Sequence, residues 1–157
     1  MLPPNNMKII TTILLLFPLV ATACSGYVIA FKGLNNAFDN EALSVYANRI
    51  AYCSKSFSWD KEKDAIKFIE TLNVPYQLYG YSRGAQTVST VLSVVKVKPE
   101  YVITIGAYKT SNVNFDKHNV RYNNFFDQSG VGQKSPGVYL NVPHNMIQKE
   151  VNKIVPR

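Results

Sequence analysis

The sequence predicts an α/β domain, a mostly parallel sheet covered by helices. Short apolar runs recur along the chain and have the character of strands buried on both faces. Between them lie segments whose apolar residues fall at helical spacing. Glycines, prolines and polar turn residues punctuate this alternation, and no linker-like tract divides it. Strand and helix in alternation imply parallel pairing with helical crossovers in a single domain.

Taken in order, residues 27–31 (Tyr-Val-Ile-Ala-Phe) form the first core strand. Residues 35–40 are a loop, and Leu43, Tyr46, Ala47 and Ile50 mark an amphipathic helix. Residues 52–57 are a short strand. Asp60 opens a second helix whose first turn carries Asp60, Glu62 and Asp64, a charge pattern that suits the helix dipole. Ala65, Ile69 and Leu72 are its inner face, and Pro75 lies beyond its end. Residues 75–79 form a strand, and Ala85, Val88, Leu92 and Val95 define the helix that follows. Residues 101–105 and 120–126 are two further strands. Ile147, Val151 and Ile154 align on a closing helix over residues 145–154.

The chain has 157 residues, 46% hydrophobic and 17% charged, which suits one globular domain. Its net charge is +7, from 17 Lys and Arg against 10 Asp and Glu. The basic residues are scattered and not interleaved with aromatics, so no nucleic-acid groove is expected. The excess suits an anionic or membrane surface without naming one.

Residues 1–23 have the make-up of a secretory signal peptide, leaving 24–157 as the domain. Lys8 is their only charge, residues 9–20 are largely apolar, and Ala21-Thr22-Ala23 offers a small-x-small cleavage site. The apolar run is short for a membrane span. An exported protein is expected: periplasmic, secreted or lipid-anchored. Residues 19–24 resemble a bacterial lipoprotein box, with Ala21 where leucine is usual. Three fates for Cys24 stay open: a lipid, a disulfide to Cys53, or a free thiol.

Gly80-Tyr81-Ser82-Arg83-Gly84 stands between a predicted strand and a predicted helix. That context turns a common G-x-S-x-G pattern into a candidate nucleophile elbow. The turn pushes Ser82 out above the sheet, and the Arg83 amide at the helix start can stabilise an oxyanion. The second amide should come from the loop after the first strand, where Gly33 precedes Leu34.

A serine nucleophile needs a base and a group to orient it. Of the two histidines, His118 lies in a polar surface turn and His144 in a loop entering the last helix. His144 is the candidate base. Glu100, Asp116 and Asp127 lie between Ser82 and His144. Glu100 precedes a strand, and Asp116 sits in a loop before one. Asp127 follows Phe126 at a strand's C-terminal end, where active groups of such sheets gather, so it is the candidate acid. Two cysteines and two histidines at these spacings match no zinc pattern, so neither metal nor cofactor is expected.

Five segments, in order, resemble the α/β-hydrolase superfamily and most closely its class 3 lipase-like members. Residues 28–34 are similar to the oxyanion strand and turn, 78–88 to the elbow, and 102–107 to a strand ending in glycine. Residues 121–127 resemble a strand closing in N-x-x-D, and His144 resembles the late histidine. The resemblance implies a compact, minimal α/β-hydrolase without a large lid. It implies a serine esterase acting on a small acyl ester or lipid through an acyl-enzyme. Ser82, Asp127 and His144 would be its triad, and Leu34 and Arg83 its oxyanion donors. The alternative is a non-catalytic binding protein, secreted or anchored, on a degenerated hydrolase scaffold. A third reading is an envelope-active esterase used in cell lysis.

Overall fold

The computed structural model describes residues 23–107, 115–128 and 136–155. All of the predicted leader 1–23 except residue 23 lies outside them. Six strands form one parallel sheet in the order β2-β1-β3-β4-β5-β6. They are β1 (Tyr27–Phe31), β2 (Cys53–Phe57), β3 (Tyr76–Tyr81), β4 (Tyr101–Ile105), β5 (Tyr122–Phe126) and β6 (Val138–Tyr139). The helices are α1 (Asn40–Arg49), α2 (Glu62–Glu70), α3 (Arg83–Val94) and α4 (Ile147–Ile154).

Strand order explains where the helices sit. The chain moves from β1 to β2 in one direction and then reverses toward β3, β4, β5 and β6. Crossovers between parallel strands are right-handed, so reversing direction moves the crossover helix to the opposite face. Accordingly α1 packs with α4 on one face, through Leu43, Tyr46, Ala47, Ile147 and Val151. On the other face α2 and α3 pack through Ala65, Ile69, Val88, Val91 and Leu92.

The strands serve both faces because successive side chains alternate. Val28 and Ala30 of β1 join the α1/α4 core, whereas Ile29 and Phe31 join the α2/α3 core. In β3, Tyr79 faces the first layer and Leu78 the second. This two-sided burial is why these strands are nearly continuous apolar runs.

Polar groups lock the helices in register. Arg49 of α1 donates to the carbonyls of Asn152 (2.8 Å) and Val155 (3.3 Å), capping the C-terminal end of α4. Gln148 of α4 accepts from the Asp39 amide at 2.8 Å, and Asp39 itself caps α1 by accepting from the Ala42 amide. Cys24 and Cys53 form a disulfide, with Cα atoms 5.7 Å apart, which ties the segment before β1 to the start of β2. A bridged Cys24 sulfur is neither a free thiol nor a lipid attachment point, so of the three fates the structure holds the disulfide.

The short strand β6 was not expected. Gly137 lies against the Asn124 carbonyl and the Phe126 ring, and the Leu140 amide donates to the Phe126 carbonyl at 2.7 Å. Pairing with β5 thus organises a segment whose sequence, with both strand residues exposed, lacks the apolar run that marks the inner strands. Among the described residues, no helix is long and apolar enough to cross a membrane.

Candidate active site

In a parallel sheet all strands end on one edge, so the loops after β1, β2, β3, β4 and β5 gather there. Strand order reverses between β1 and β3, the kind of switch point at which open α/β sheets bind ligands. Ser82 directly follows β3 at this point.

The turn between β3 and α3 holds Ser82 at φ 54°, ψ −119°, a conformation an L-residue adopts at a cost. Two contacts enforce it. The Ser82 amide donates to the Ile105 carbonyl of β4 at 2.8 Å. Gly84 brings α3 so close to β1 that an added Cβ would lie 2.1 Å from the Phe31 carbonyl oxygen. The predicted strand-turn-helix elbow is therefore present.

Beyond β1, a short 3-10 turn, Leu34–Asn36, carries Asn35 and Asn36 in left-handed conformations. Gly33 abuts the serine, since a Cβ there would lie 3.1 Å from Ser82 Cβ. Among the described residues, neither the Leu34 nor the Arg83 amide donates to a backbone carbonyl. Arg83 is the residue after Ser82, and Leu34 follows Gly33, which abuts the serine.

Asp127 immediately follows β5 and is wholly buried, whereas the His144 side chain is 36% exposed. Asp127 Oδ2 pairs with His144 Nδ1. A buried carboxylate on Nδ1 fixes the ring orientation and leaves Nε2 for the solvent-facing side. Gly106, at φ 58°, makes the space for this pair. A Cβ there would lie 2.7 Å from Asp127 Oδ2 and 2.8 Å from His144 Cε1. Gly106 directly follows Ile105, which receives the Ser82 amide, so the pair borders the elbow.

Tyr81 binds the imidazole to the elbow more directly. Its ring stacks on His144 with centroids 5.0 Å apart and planes inclined by 23°. Its hydroxyl donates to the His144 carbonyl at 2.9 Å. Burial, then the nearby Asp127, raise the Tyr81 pKa, so the phenol stays a donor. Ser82 Oγ makes no hydrogen bond to His144 here. Such bonds are often long before substrate binds.

The rejected candidates sit elsewhere. Glu100 accepts from the Tyr52 hydroxyl before β4, and Asp116 accepts from the Tyr122 hydroxyl. His118 ends a 3-10 turn, with its pKa lowered by partial burial and then by Lys98 and Lys117.

The sequence pattern marked Gly106 as a strand-ending glycine and Asn124 as part of N-x-x-D, but assigned no site role to either, nor to Tyr81. Tyr81 looks like an ordinary core aromatic. Asn124 is buried and accepts from Thr104 Oγ1 at 2.9 Å, fixing β5 against β4 and hence the position of Asp127. The N-x-x-D spacing had drawn attention to the segment but not to this role. Among the described residues, no three His, Cys, Asp or Glu side chains converge as metal ligands.

No family model and no curated protein matches the chain. Among solved structures it is similar to a Xanthomonas campestris pv. campestris protein described as a hydrolase of the alpha/beta superfamily. That likeness has a TM-score of 0.60 at 10% identity and covers 82% of this chain and 94% of the other. A Pectobacterium atrosepticum protein described as a YdeN-like hydrolase is similar at a TM-score of 0.48 and 12% identity, covering 74% and 77%. The Xanthomonas likeness bears out the fold, a compact α/β architecture with a six-stranded parallel sheet covered by helices.

Proposed function

We propose that this protein is a serine hydrolase of carboxylic esters, lipase- or esterase-like, working through an acyl-enzyme. One observation carries the reading: a buried Asp127 paired with His144 Nδ1 beside a strained, elbow-borne Ser82. That conjunction has no obvious purpose in folding, because backbone strain and a buried carboxylate both oppose stability.

In this reading His144 Nε2 takes the proton of Ser82 Oγ as the oxygen attacks the acyl carbonyl. Asp127 stabilises the imidazolium, and the Leu34 and Arg83 amides receive the oxyanion. His144 then protonates the departing alkoxide. Water, deprotonated by the same imidazole, attacks the acyl-serine, and the imidazolium returns that proton to Ser82 Oγ as the acid departs. No step requires a metal or cofactor. The substrate is a small acyl ester or a lipid. The Cys24–Cys53 bridge supports an oxidising compartment and therefore export.

A binding protein on the same scaffold is the rival, favoured by the missing Ser82–His144 hydrogen bond. A fluorophosphonate probe separates the two. Wild type should be labelled at Ser82 and should hydrolyse para-nitrophenyl esters. Ser82→Ala should lose both with its thermal midpoint nearly unchanged. An unlabelled wild type, or an adduct mapped to another residue, would overturn the enzyme reading.

A further inference from the structure

The side chain of Arg83 is not used by the mechanism above, which needs only its amide. Its guanidinium lies over the Trp59 ring, 4.8 Å from the centroid. Trp59 stands in the loop after β2, on the same sheet edge as Ser82, and its carbonyl accepts from Thr87 Oγ1 of α3 at 2.5 Å. This bond holds the Trp59 backbone against α3, with its ring beneath the guanidinium. Arg83 makes no ion pair with any carboxylate among the described residues.

The two side chains line a depression of about 220 Å³ with Glu62, Gln86, Thr87 and Thr90. This is below the roughly 300–1,000 Å³ of usual small-molecule sites, so it suits a short substituent rather than a long acyl chain. Strand order decides which part of a substrate reaches it. Asp127 and His144 approach Ser82 from the β4 and β5 side, whereas Trp59 belongs to β2 on the other. The leaving group must lie toward His144, which protonates it. Ser82 is not itself a lining residue, but Arg83 follows it directly, so an acyl group pointing away from His144 is directed to the Arg83 and Trp59 side.

Resting on the hydrolase reading, we propose that the acyl part of the substrate ends in a carboxylate, held by the Arg83 guanidinium on its Trp59 platform. A planar guanidinium matches a carboxylate fork, and the aromatic face beneath keeps it oriented. Thr90 lines the same depression and brings a further hydroxyl donor, the Thr87 hydroxyl being already given to the Trp59 carbonyl. Glu62 is the one carboxylate among the lining residues and repels a second negative charge, which favours a carboxylate over a phosphate dianion.

The test compares two esters of matched length, mono-para-nitrophenyl adipate and para-nitrophenyl hexanoate. Wild type should favour the adipate in kcat/KM. Arg83→Gln should reduce the adipate-to-hexanoate ratio by about ten-fold, the scale of one charge-assisted hydrogen bond. Arg83→Lys should reduce it less, and Glu62→Gln should raise it. A ratio taken within one sample does not depend on how much of a variant is folded. If both esters are cleaved and the ratio is the same in wild type and Arg83→Gln, the carboxylate site is overturned and the esterase reading stands.

Trp59 is the only tryptophan in the chain, so its fluorescence reports binding independently of turnover. Adipate, titrated at constant ionic strength, should change it in wild type and not in Arg83→Gln. A larger response to inorganic phosphate than to adipate would overturn the assignment to a carboxylate. If neither ester is cleaved and Ser82 is not labelled, yet adipate still changes the signal through Arg83, the esterase reading fails and the anion site survives.

Discussion

The ring of Tyr81 stacks on the imidazole of His144, and the Tyr81 hydroxyl donates to the carbonyl of that same residue. The residue immediately before the candidate nucleophile thus orients the candidate base. Tyr81→Phe keeps the stack and loses the hydrogen bond. We expect kcat to fall about five-fold, the equivalent of one ordinary hydrogen bond, with KM little changed. Tyr81→Leu loses both contacts and should fall further. A change confined to KM would show that Tyr81 shapes the pocket instead of holding the imidazole.

Asp127, not Asp116, is expected to orient His144. Removing a triad acid costs on the order of 10⁴ in kcat. Asp127→Asn should show a loss of that scale. Asp116→Asn should remain near wild type, because the Asp116 carboxylate bonds the Tyr122 hydroxyl, away from His144. Steady-state ester hydrolysis by the two purified variants gives the ranking, and its reversal would remove Asp127 from the site.

Gly106→Ala places a methyl group against both Asp127 and His144. It also puts alanine at φ 58°, a left-handed conformation costing about 1–2 kcal/mol. The expected result is a modest loss of stability in urea and a loss of activity on the order of a hundred-fold, as a displaced imidazole would give. Wild-type activity in a folded Gly106→Ala protein would show that the pair tolerates displacement and is not the working base.

The disulfide closes a separation of 29 residues, worth about 3–4 kcal/mol on the chain-entropy view. Replacing Cys24 and Cys53 together by serine should lower the urea midpoint accordingly while leaving ester hydrolysis measurable at low temperature. Intact mass of protein from its native host checks the accompanying expectation of export. A chain starting at Cys24 should be about 2 Da lighter before reduction than after it. A full-length chain with two free thiols would contradict both.

Much of this protein is determined by its sequence alone. Alternating apolar runs and helical stripes specify the α/β sheet because each strand must bury two faces and each helix one. Gly80, Ser82 and Gly84 specify the elbow because the turn is local, and Gly84 leaves no side chain against β1. His144 and Asp127 could be selected by chain order and by their places at element ends. Tertiary structure alone decided the rest. Cys24 and Cys53 form a bridge because β1 and β2 pair from Tyr27 against Cys53, a register no local pattern announces. Tyr81 reaches His144, and Arg83 reaches Trp59, across elements distant in the chain. Strand alternation says which face a side chain takes, but only the sheet's reversal between β1 and β3 determines which loops become neighbours at its edge.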